Sequence, residues 1–166
     1  VERVDARDID TEHGPFRLFT YRDRLGRGLH FALLRGEPEP HTPTLVRVHM
    51  PTPLPDALHW RRADFGPAAG EVLKTIADAG RGALVLLGEA QDADALLARI
   101  REQPEAPSPR GQALAEWRRT GAGSQILADL GLGKLRVLGT PRKQIGLAGF
   151  GLEVVEYVEP LVRGPE

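Results

Sequence analysis

The residues that could do chemistry are few and scattered. His49 and His59 bracket Asp56, and Asp64 follows closely; imidazoles and carboxylates are the types that hold divalent metals or move protons near neutral pH. Prolines at 51, 53 and 55 prevent the helical i, i+4 presentation of an H-E-x-x-H site, and no such spacing occurs. The plainer reading is a pair of loop histidines open to water. Arg61 and Arg62 beside Asp64 could grip a phosphate or pair with surface carboxylates. Glu116-Trp117-Arg118-Arg119 sets a carboxylate two residues before a guanidinium, either a reactive pair or a charged helix face. Gly26-Arg27-Gly28 lacks the strand-to-helix setting of a phosphate loop and reads as a hairpin turn. Ser108 and Ser124 stand in no G-x-S-x-G context. The chain has no cysteine, which excludes disulfides, a thiol nucleophile and thiolate-held zinc or iron–sulfur.

The rest of the composition sets the frame for these residues. At 166 residues with 41% hydrophobic content, the chain suits one domain with its own core. The 19 glycines and 14 prolines are well above average usage and predict many turns and few long helices. Twenty-two basic and 23 acidic side chains leave a net charge of −1, which offers no field to a nucleic acid or an anionic membrane. Runs such as Ala83–Leu87 are too short to span a bilayer, and no signal-peptide pattern opens the chain. A soluble, cytoplasmic protein is the expectation. The chain opens at Val1 and its one methionine is Met50. Residues 1–14 read as a charged linker, as expected of a domain set behind another in a longer polypeptide.

The elements that must position these side chains follow from periodicity. Phe16–Tyr21 and His30–Arg35 predict an antiparallel strand pair, and Thr44–Met50 a third strand. The proline-rich stretch 51–67 predicts a loop. Val72, Leu73, Ile76 and Ala77 predict a helix over Ala68–Ala79 closed by Gly80. Ala83–Leu87 is a buried-strand pattern, and Asp92–Glu102 places Ala93, Leu96, Leu97 and Ile100 on one helical face. Residues 103–110 read as a loop, Gln112–Arg119 and Ser124–Leu130 as short helices parted by Gly121 and Gly123, Lys134–Leu138 as a strand, Pro141–Gly151 as turns and Leu152–Val158 as a last strand. A hairpin-like first third followed by helix–strand alternation is an α+β (α/β-like) class, a mixed β-sheet with flanking helices.

Longer motifs add a family. Arg47-Val48-His49-Met50, with Arg62-Ala63-Asp64-Phe65-Gly66 after a loop, resembles the R-V-H-S and R-C-D-C-G segments of GTP cyclohydrolase II, the enzyme that opens riboflavin synthesis. Residues 124–138, SQILADLGLGKLRVL, are similar to its A-Q-I-L-x-D-L-G-V-x-K-x-R-L-L. Pro141-Arg142-Lys143 and the segment 149–156, GFGLEVVE, resemble N-P-x-K and G-Y-G-L-E-V-V-E. His13-Gly14-Pro15-Phe16, Tyr21-Arg22-Asp23 and His30-x-Ala32-Leu33 fit its opening hairpin. The likeness runs over about residues 11–160, and the domain is expected over 15–160 with a C-terminal tail at 161–166.

The resemblance implies a zinc ion on three cysteines that activates water for attack on the guanine ring. The three positions here are Thr52, Ala63 and Phe65. Alanine and phenylalanine carry no ligand atom and threonine is a poor one, so no metal or other cofactor is expected. The family's phosphate-gripping R-Q-E-G-R-G stretch aligns with residues 90–95, where an arginine has become Asp94; attraction for a triphosphate becomes repulsion of roughly 1 kcal/mol or more. A family tyrosine aligns with Thr120. Counterparts of nucleotide-contacting or reactive groups survive at Arg47, Arg62, Lys143, Arg118 and, conservatively, Glu116. The resemblance also implies a homodimer and frequent fusion behind 3,4-dihydroxy-2-butanone 4-phosphate synthase. The expected function is a zinc-free, catalytically inactive GTP cyclohydrolase II-like domain with a structural or regulatory role. The alternative is a sensor that binds a nucleotide or flavin-pathway metabolite without hydrolysing it.

Overall fold

A computed structural model of the chain describes residues 1–23, 28–62, 65–88, 93–101, 121–139 and 147–158. They build one seven-stranded sheet in the order β1-β2-β3-β5-β4-β6-β7. The strands are β1 (Glu2–Thr11), β2 (Gly14–Arg22), β3 (Leu29–Arg35), β4 (Thr44–His49), β5 (Gly82–Leu86), β6 (Lys134–Leu138) and β7 (Glu153–Val158). From β1 to β5 neighbours pair antiparallel. From β5 through β4 and β6 to β7 they pair parallel. The α+β expectation, a mixed sheet with flanking helices, holds.

Alternation along the strands sends side chains to two cores. On one face Val46, Val85 and Leu135 pack with Ile126 and Leu127 of the helical segment 121–129. On the other, Leu45, Leu84 and Leu138 pack with Val72 and Ile76 of α2 (Ala69–Ala79). Glycine at 80 ends α2 with φ +79° and donates its N–H to the Ile76 carbonyl, the left-handed cap the sequence pattern indicated. The helix expected over Ser124–Leu130 spans 121–129, so it already includes Gly121 and Gly123; the helix expected over Gln112–Arg119 lies outside the described residues. A Cβ at Gly123 would come within 3.0 Å of the Val48 side chain, so glycine here lets the helix approach β4.

Residues 1–14, expected as a linker, instead supply β1, which pairs with β2 along nearly its whole length. Arg3 binds the Asp129 carboxylate at 2.6 Å, and Tyr21 donates to the same carboxylate at 2.7 Å. The charges that suggested a linker suit an edge strand, where they discourage pairing with a stray chain. The tail at 161–166 lies outside the described residues. The 51–67 stretch is also not all loop: α1 (Pro53–Asp56) forms one turn, with Pro at its first position, where the missing N–H would have had no partner within the helix. Among the described residues no helix is long and apolar enough to cross a membrane.

Candidate functional site

The order of strands reverses at β4. The connection from β4 to β5 carries α2 on one face, and the helical segment 121–129 that precedes β6 covers the other. In such sheets the crevice beyond the carboxyl ends of the strands at this reversal is the usual ligand position. His49 ends β4 and Leu138 ends β6, so the residues that follow His49 begin at that end.

His49 is not a loop histidine open to water. It is 3% exposed, and its Nε2 lies 2.9 and 3.1 Å from the two carboxylate oxygens of Asp56. Asp56 also accepts from the Thr52 N–H and the Ala69 N–H, each at 2.9 Å. Burial pushes its carboxyl pKa up, but the imidazole and the two backbone N–H groups outweigh that and hold it below the ordinary carboxylate value. One carboxylate thereby ties the end of β4, the start of α1 and the start of α2. Thr52 is 5% exposed and caps α1, its Oγ accepting from the Leu54 N–H at 3.5 Å.

A second cluster stands around Phe65. Phe65 is 5% exposed. Its ring meets Trp60 edge to face with centroids 5.3 Å apart, and the guanidinium groups of Arg62 and Arg99 lie 4.3 and 5.2 Å from its centre. Arg62 also stacks over Trp60 at 5.0 Å. Its Nη2 donates to the Arg99 carbonyl at 2.7 Å and its Nη1 to the Ile100 carbonyl at 3.4 Å. These are the last turns of α3 (Ala93–Arg101), where a cation satisfies carbonyls left over by the helix and faces the negative dipole end. Arg62, expected as a remnant nucleotide contact, is thus engaged as the cap of α3. Asp94 is exposed in the first turn of α3, where a carboxylate suits the helix dipole but repels phosphate.

Arg47 projects from β4 on the α2 side, and its Nη1 donates to the Leu138 carbonyl at 3.0 Å. A Cβ at Gly66 (φ +68°) would lie 2.9 Å from its Nη2, so the guanidinium passes close over the loop. The positions of Ala63, Glu116, Arg118, Thr120 and Lys143 lie outside the described residues. Among the described residues no three His, Asp or Glu side chains gather as a metal site. The zinc implied by the resemblance does not fit these donors. Phe65 offers a ring, the Thr52 hydroxyl caps a helix, and Asp56 has both oxygens on hydrogen bonds within the protein. Sequence reasoning set His49 beside Asp56 but read the histidine as open to water; Thr52 followed by a proline and then Asp56 is a legible helix start that could have placed the pair.

Comparisons with known proteins agree with this architecture. The family model described as GTP cyclohydrolase II matches residues 2–159. A 3,4-dihydroxy-2-butanone 4-phosphate synthase of Pseudomonas aeruginosa is 42% identical over 158 residues, covering 95% of this chain and 43% of the relative. A riboflavin biosynthesis protein RibBA of Chlorobium phaeovibrioides is 34% identical over 168 residues, covering 95% of this chain and 41% of the relative. The crystal structure of RibBX, a two-domain 3,4-dihydroxy-2-butanone 4-phosphate synthase from A. baumannii, aligns with a TM-score of 0.64 at 33% identity, over 94% of this chain and 39% of that one. The chain therefore spans about two-fifths of the length of these relatives.

Proposed function

The chain belongs to the GTP cyclohydrolase II family, and from that premise we propose that it is a member without cyclohydrolase chemistry, kept as a structural or regulatory domain of a riboflavin-biosynthesis protein. One observation carries this reading: two positions that the family resemblance assigns to zinc thiolates are buried and employed otherwise. Phe65 is the centre of an aromatic–guanidinium stack, and Thr52 caps α1. A Lewis acid is the usual means of making hydroxide near neutral pH at such a site, and these side chains supply no ligand set for one. The engagement of Arg62 with α3 and the carboxylate of Asp94 further disfavour a bound triphosphate.

The role that remains is support of an attached 3,4-dihydroxy-2-butanone 4-phosphate synthase, the activity named for several relatives of which this chain covers the corresponding part. The domain would hold two copies together or tune the synthase. Zinc analysis and a GTP turnover assay test the first half: the expected results are substoichiometric metal and no pyrimidine product, and either stoichiometric zinc or product overturns it. Synthase activity measured with the domain present and deleted tests the second.

Arg47 favours the sensor as a second reading, because its guanidinium stands at the carboxyl ends of the central strands beside Gly66 and Gly139. Calorimetric titration with GTP, GMP, FMN and ribulose 5-phosphate decides it; absence of heat with all four removes it.

A further inference from the structure

α3 contributes no buried side chain among those described, unlike α2, whose Val72 and Ile76 are fully covered. A nine-residue helix gains little stability by itself and needs a surface to pack on. Its inner side is defined by Leu96 and Arg99, both half-buried, with the Arg99 guanidinium over Phe65. The outer side is the stripe Asp94, Leu97, Ala98 and Arg101, spaced i, i+3, i+4 and i+7 and exposed throughout. Leu97 is 45% exposed, and Ile100 and Trp60, each 38% exposed, continue the apolar surface beside it.

This stripe is complementary to itself. It runs from a carboxylate at Asp94, over a large side chain at Leu97 and a small one at Ala98, to a guanidinium at Arg101. Turning a second copy about a two-fold axis between Leu97 and Ala98 sets Asp94 opposite Arg101 of the other copy, twice. It also seats each Leu97 over the partner's Ala98. Two-fold contacts are isologous, so one helix must supply both halves of every pair, and α3 does. Trp60 at the margin and Arg101 in the stripe are of types enriched in such contacts.

We propose that the outer face of α3 is where a second copy of this chain packs, the two α3 helices running antiparallel. The proposal rests on the homodimer reading above and names the surface for it.

Sedimentation velocity on the 166-residue chain tests both separately. The wild-type chain is expected to be a dimer at micromolar concentration. Asp94→Arg and Arg101→Asp each turn two attractions into two repulsions and should weaken the dimer about tenfold or more. An equimolar mixture of the two variants should recover wild-type affinity, because each charge then meets its opposite; this recovery also shows that both variants fold. Leu97→Asp should give monomer. Variants that leave the dimer unchanged overturn this surface while the homodimer stands. A weakened dimer that does not recover on mixing overturns the antiparallel pairing. A wild-type chain that stays monomeric overturns the homodimer and the surface together.

Discussion

Two of the three positions at which the family resemblance expects zinc thiolates, Thr52 and Phe65, have been absorbed in different ways. Around Thr52 the replacement is polar and local: Asp56, His49 and the N–H groups of Thr52 and Ala69 satisfy one another within a short stretch of chain. Around Phe65 it is aromatic and long-range: Trp60, Arg62 and Arg99 surround a ring and fasten a loop to a helix 37 residues away. A metal cross-links through directional bonds. Here one part of that task falls to a carboxylate hub and another to cations over rings, two interactions with different distance laws and different sensitivity to pH.

Mutations separate the two regions. Phe65→Ala should have the largest effect, about 3 kcal/mol of stability, because it empties a buried site and removes the surface under two guanidinium groups. Urea denaturation measures it; a loss below about 1 kcal/mol would mean that the ring is peripheral. Asp56→Ala should cost about 2–3 kcal/mol, since it strands two backbone donors and a buried imidazole, lowering Tm by roughly 2–4 °C per kcal/mol.

Acid should distinguish the hub from the stack. The Asp56 carboxyl titrates lower in the folded chain than in the unfolded chain. Its contribution is therefore fully present above the unfolded pKa and is lost as pH falls through the folded one. Stability of the wild-type chain should decline below about pH 4, and Asp56→Asn should flatten that decline, whereas Phe65→Ala should leave its slope unchanged. Arg62→Ala should cost about 1–2 kcal/mol through lost helix-end contacts and stacking. The smallest expected quantity is the coupling between the regions: Asp56→Ala and Arg62→Ala should add to within about 0.5 kcal/mol. A larger coupling in a double-mutant cycle would merge the two clusters into one.

The strands were legible because alternation is a local property. Lys134–Leu138 reads as a strand with the same bounds in sequence and structure, and Gly80 marked the end of α2 through its freedom at positive φ. The N-terminal strand was not, since a charged edge strand and a charged linker have the same composition and differ only in whether a partner edge is present. Residue types at 52, 63 and 65 alone determined that no thiolate can hold a metal there. What those residues do instead was decided in three dimensions. Arg62 in sequence is a cation next to another cation. It becomes a helix cap because the fold brings the Arg99 and Ile100 carbonyls and two rings within its reach. Likewise His49 is buried because β4 ends beneath α1, where the Asp56 carboxylate awaits it. Donor identity is written residue by residue, but the partner of a charged group is set by contacts between segments remote in the chain, and only the packed sheet brings those segments together.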